Sequence, residues 1–213
     1  MPDRFPGYDV LAKRHTPSWN EKTRRVIDAR LSLPRTPCFL SEQEWAVLEA
    51  ICARIVPQPH DRAPVPVASQ VDHKLLENAG DGYRPADLPP LREAWRRGLR
   101  ALDAEARRAH GIGFAALDPA AQDGLLGRAQ EGELSDEAWG EMPAKLFFEK
   151  RMAKDIVAAY YAFPTAWNEI GFGGPASPRG YVRMGFDRRD PWEAAEVKDG
   201  DVADAERKNR RVG

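Results

Sequence analysis

Leu91, Trp95, Leu99, Leu102, Ala106 and Ala109 fall on one stripe over about twenty residues, the spacing of a long helix with a single buried face. Pro89 and Pro90 stand where a helix begins, and Gly111 stands where one stops. Such a helix needs other apolar faces around it. The rest of the chain offers them as further helices. Ser41 and Glu44 form a capping box, followed by Trp45, Leu48, Cys52 and Ile55 on one face and a stop at Pro57. Val71 and Leu75 mark a shorter helix that is expected to end at Gly80-Asp81-Gly82. Asp118-Pro119 opens another, and Pro143 starts the last long one, which is apolar on more than one face and is expected to be mostly buried. Ser18 with Glu21 reads as the cap of a first helix running to about Leu31. No segment alternates as a strand does.

The predicted fold is therefore all-α, a single compact helical domain of about six helices with extended, irregular N- and C-terminal arms. Residues 1–40 form the N-terminal arm with one helix. Residues 41–175 form the helical core. Residues 176–213 form an aromatic arm and a charged tail that is expected to fray.

Composition excludes several classes. The chain has 213 residues and a net charge of −1, so no global field draws nucleic acid or an anionic membrane. No run approaches the length that spans a bilayer. The two cysteines, Cys38 and Cys52, are too few for a disulfide framework, and a single bridge between them stays open. Four histidines, His15, His60, His73 and His110, lack metal-ligand spacing, and no nucleophile-elbow motif is present. Neither a catalytic nor a metal residue is expected. The arginines of the long helix interleave with Glu93, Asp103 and Glu105, which reads as a salt-bridged surface.

The segment from residue 159 to 194 behaves differently. At Pro164 regular structure is expected to end, and Gly, Pro and large aromatics follow. A disordered loop is poor in aromatics, so this one is expected to pack against something. Aromatics beside arginine are the residues that interface cores favour. The candidate partner-binding residues are Phe5, Tyr8, Trp19, Trp167, Phe172, Tyr181, Arg183, Phe186 and Trp192. Among them Tyr181, Phe186 and Trp192 are the expected anchors of a C-terminal arm. GFGGP lacks the strand that a dinucleotide loop needs, so its glycines read as tight turns or close approach to a partner backbone.

Several strings in order resemble a known family: SEQEWAVLEAICARIVPQP, VDHKL, LRALDAEARRAHGIGFAALDPAAQDGLL, the pair Phe147-Phe148, and YYAFPTAWNEIGFGGP. Together they are similar to the gluconate 2-dehydrogenase subunit 3 family, the small or gamma subunit of bacterial flavin-dependent sugar dehydrogenases. The resemblance covers about Ser41 to Pro175. Trp167, Gly171, Gly173, Gly174 and Pro175 match its closing motif. It implies an all-helical subunit with no cofactor of its own, bound to a large FAD-carrying flavoprotein of the glucose-methanol-choline type. In some complexes a cytochrome c or other electron-acceptor subunit is a further partner. It implies support of folding, stability and export of the large subunit, and no catalytic residue. A transient chaperone for the flavoprotein is the alternative. Many members begin with a twin-arginine export signal; none is readable here, so the expected location is cytoplasmic, with co-export to the periplasm as the alternative.

Overall fold

The structure is a computed structural model describing residues 3–60, 62–185 and 188–212. Among these residues there are helices and no strand, so the fold is all-α. The helices are α1 (Glu21–Leu31), α2 (Glu42–Ile55), α3 (Val67–Glu77), α4 (Leu91–His110), α5 (Pro119–Glu131), α6 (Ala144–Phe147), α7 (Ala153–Tyr161), α8 (Pro164–Glu169) and α9 (Val202–Asn209). A π turn, Phe148–Met152, joins α6 to α7 without a break. Two compact units result. Residues 33–160 form a helical unit, and residues 1–32 with 161–213 form a terminal unit. The expected division into arm, core and tail is not the division of these units: the two ends of the chain share one.

The helical unit is built around α4. Trp95, Leu99, Leu102 and Ala106 are fully buried there, as the stripe predicts. Leu48 and Ile51 of α2 and Leu125 of α5 close around it, and α3, with buried Leu75, packs on α2. Gly98 allows the closest approach: a Cβ at that position would lie 2.2 Å from the Phe147 ring. Phe147 in turn meets Trp95 edge-on, with ring centroids 5.6 Å apart. The last long helix differs from expectation. It buries Phe147, Met152, Ile156 and Tyr160 but exposes Val157 and Tyr161. Phe147 and Met152 are five residues apart, and the π turn between them supplies the extra residue that keeps both on the inner face.

Buried carboxylates organise the loops of this unit. Asp72 accepts from the backbone N–H groups of Cys38 (2.6 Å) and Leu40 (2.8 Å) and from Cys38 Sγ (2.8 Å), fixing the entry to α2. Glu105 accepts from the N–H groups of Ser135 and Asp136, both at 2.8 Å. Burial opposes its charge, yet these bonds and Arg108 hold its carboxyl below the usual range. Asp155 accepts from Trp95 Nε1 and Lys74 Nζ, each at 2.8 Å. The two cysteines are not bridged: Cys52 is buried and Cys38 exposed.

Four expectations are corrected, three of them in the terminal unit and one, the end of α3, in the helical unit. Asn20, not Ser18, caps α1, accepting from Thr23 N at 2.9 Å. Ser18 is held extended because its C=O accepts from Ser177 N (2.9 Å), while Asn20 N donates to Ser177 O (2.7 Å). The chain does not leave regular structure at Pro164; that residue takes the first position of α8, where its missing N–H costs nothing. α3 stops earlier than the glycine turn, at Asn78 with φ 53°. The tail does not fray. Asp201 caps α9, and buried Asn209 accepts from Ala195 N (2.7 Å) while donating to Pro6 O and Ala195 O.

Candidate partner interface

The terminal unit has a core of Tyr8, Val10, Trp19, Ile27, Trp167 and Val212, with Phe5, Leu11 and Ala194 packed against it. Three of the candidate partner-binding residues are thus buried inside the chain. Tyr8, Trp19 and Trp167 turn inward and make up half of that core. Trp167 Nε1 donates to Tyr161 O at 2.6 Å, and its ring meets Phe172 edge-on at 5.7 Å. Phe5 is half-buried over Gly171, where φ is +65° and a Cβ would come within 2.5 Å of its ring. Gly174, with φ +67°, lets Trp167 and Val10 close in to about the same side. The glycines of the closing motif therefore admit side chains of this unit itself.

The remaining candidates lie at the surface. Tyr181 is 69% exposed, and its neighbours Val182 and Met184 are 79% and 81% exposed. Ile170 and Phe172 are also exposed. Five large apolar side chains between Ile170 and Met184 thus face solvent, as do Val26, Leu31, Tyr161 and Val202 of the same unit. The loop that carries them is held from within: buried Asp190 accepts from Met184 N at 2.9 Å, and Glu193 accepts from Arg183 Nε at 2.9 Å. Trp192 is half-buried beneath the Arg179 guanidinium, 4.3 Å from the ring centroid. Phe186 lies outside the described residues. Val182, Met184, Arg179 and Lys13 were not among the expected residues. The run Tyr-Val-Arg-Met between glycines carried a signal for the first two. Lys13 carried none, since its surroundings come from a segment 160 residues away.

Beside this surface is a cleft of about 240 Å³ lined by Lys13, Gly173, Arg179, Tyr181 and Arg189, among others. Lys13 is 1% exposed and donates to Gly173 O at 3.1 Å. Burial, followed by the charge of Arg179, pulls its ammonium down to about 8. Burial and then Asp9 push the Tyr8 phenol up to about 12.

The arginines of α4 are engaged with their neighbours, as their interleaving predicts. Arg97 pairs with Glu93, Arg100 with Glu44 and Arg107 with Asp103; Arg96 stacks on Phe39 at 4.3 Å and donates to its carbonyl. Among the described residues no cluster of three His, Cys, Asp or Glu side chains could hold a metal. His15, His60 and His110 are exposed, and His73 lies 3.7 Å from Glu77. Among the described residues no helix is long and apolar enough to cross a membrane.

No curated protein and no solved structure matches the chain. A family model does: residues 42–174 match the one described as gluconate 2-dehydrogenase subunit 3, which takes in α2 through α8 and ends at Gly174. That is well over half of the 213 residues, and the chain belongs to the gluconate 2-dehydrogenase subunit 3 family.

Proposed function

We propose that this chain is a non-catalytic subunit that binds and stabilises a large FAD-dependent dehydrogenase of the glucose-methanol-choline type, one that oxidises a sugar or sugar acid. The family match over residues 42–174 carries this reading. The exposed run of Tyr181, Val182 and Met184 supports a docking role. The contact would work by removing apolar surface from water. Binding to the folded flavoprotein alone shifts its folding equilibrium: free subunit at about 100 times its dissociation constant contributes roughly 2.7 kcal/mol. Hydride transfer to flavin would take place on the partner.

The test is co-expression with the flavoprotein, followed by size-exclusion chromatography with visible detection. The expected result is one peak with flavin absorption and fixed stoichiometry. Tyr181→Ser combined with Met184→Ser should loosen that complex at least tenfold while leaving the helical circular-dichroism signal intact, because both side chains are exposed. Truncation before Ser177 is the poorer test, since it also removes α9 and buried Val212. A colourless chain that never joins the flavoprotein would overturn the reading. A flavoprotein that keeps full activity and stability after this chain is removed would favour a transient chaperone.

A further inference from the structure

The cleft beside Tyr181 has an unbalanced charge. Its lining includes four cationic side chains, Lys13, Arg179, Arg183 and Arg189, and one carboxylate, Glu193. Both oxygens of Glu193 are engaged, one by Arg183 Nε at 2.9 Å and the other by Asp190 N at 2.8 Å. Among the described residues, Lys13, Arg179 and Arg189 have no carboxylate within ion-pair distance. Arg179 Nε donates to Ser18 Oγ (2.9 Å), and Arg189 donates to the carbonyls of Asp190 and Glu193. Lys13 is the telling member. It is 1% exposed, and an ammonium taken out of water needs a counter-charge. Its one hydrogen bond, to Gly173 O, uses one of three donors. Elsewhere buried Asp155 is matched by Lys74 and Glu105 by Arg108, while Asp72 and Asp190 are held by backbone N–H donors.

The floor of the cleft suits a small polar group. Gly173 has no side chain to fill it. A Cβ there would come 3.0 Å from Lys13 Nζ and 3.9 Å from the Tyr8 hydroxyl. That hydroxyl is buried and has no hydrogen-bond partner among the described residues. We propose that the cleft is an oxyanion site, in which a carboxylate or phosphate group supplies the missing charge to Lys13 and is held at its open side by Arg179 and Arg189. The two guanidinium groups present planar donors that match either oxyanion. The depressed ammonium of Lys13 agrees: burial leads the shift, Arg179 adds to it, and Glu193 offsets it only in part. The site stands apart from the subunit reading; a free anion or an acidic side chain of the partner has the same chemistry.

Isothermal titration of the full chain with sodium acetate and with inorganic phosphate tests the site, at ionic strength held constant with chloride. The expected result is saturable one-to-one binding of at least one of them, weakened at least tenfold by Lys13→Met. That variant keeps the length of the side chain and removes the unbalanced charge, so it should fold at least as well as the parent. The second arm measures assembly of the flavoprotein complex. If the complex forms equally well with Lys13→Met, the anion is a free one. If Lys13→Met weakens the complex at least tenfold and acetate competes with assembly, the anion is the partner's carboxylate. No saturable binding by the parent chain, together with unchanged assembly by the variant, overturns the proposal. Failure of any complex to form would overturn the subunit reading and leave the first arm to decide the site.

Discussion

At the scale of single residues, environment decides the sign of effects that residue type alone would misjudge. Gly98 lies inside α4, where replacing glycine by alanine ordinarily stabilises a helix by about 1 kcal/mol. Here the added Cβ would stand 2.2 Å from Phe147, whose buried ring is wedged against Trp95 and Trp139 and has nowhere to move. Gly98→Ala should therefore destabilise by about 1–3 kcal/mol, read as a lower urea midpoint. An unchanged or higher midpoint would show that the ring can shift. Cys38 reverses a different expectation. It is exposed, yet partial burial of its thiol and the Asp72 carboxylate 2.8 Å away push it up to about 11. Two units above its ordinary value leave about 100-fold less thiolate at pH 8. Iodoacetamide should label Cys38 correspondingly slowly, with a rate still rising at pH 10. Rapid labelling at pH 8 would contradict the Asp72 contact.

At the scale of elements, legibility followed periodicity. The α4 stripe, the Ser41/Glu44 box and the Asp118-Pro119 start were readable because each is local: Ser41 Oγ and Glu44 N meet at 3.2 Å within one turn. The π turn was not readable, because Phe147 and Met152 share a face only after packing selects it. α9 was not readable either. Its sequence is charged, and its anchor is Asn209, which bonds to Pro6 at the other end of the chain. Which of the candidate residues lie at the surface was not legible for the same reason. Aromatic content announced an ordered segment, but which rings turn inward depends on the unit that the two termini build. Ties between elements also set the response to acid. Asp81, beyond α3, accepts from Lys154 and Lys74 and lies 3.4 Å from Arg151, linking α3 to the π turn and α7. The Lys154 bond leads in holding its carboxyl down at about 2. A depressed carboxylate contributes stability that is full above its unfolded value near 4 and is lost as pH falls toward 2. Solvent screening keeps the share to roughly 1 kcal/mol. Asp81→Asn should flatten the fall in thermal midpoint between pH 4 and pH 2. An identical slope in the variant would remove Asp81 from the account.

At the scale of the molecule, two compact units imply two levels of local stability. The terminal unit closes residues 1–32 onto 161–213, and its core of six buried side chains draws on both ends of the chain. Asn209 fastens that closure with three hydrogen bonds, one to Pro6 and two to Ala195. Asn209→Ala would leave the Ala195 N–H and the Pro6 carbonyl without those partners. A buried group left unsatisfied costs about 1–3 kcal/mol. The loss should appear as faster amide exchange in residues 3–31 and 194–212 together, because neither end has a core without the other. Residues 42–160 hold their own buried α4 core and should keep their protection. Exchange that rises evenly over the whole chain would mean that the two units open as one. The distinction bears on assembly. If the terminal unit opens alone, a partner seated on Tyr181, Val182 and Met184 stabilises the weaker unit, and its binding should restore the lost protection in both terminal segments at once.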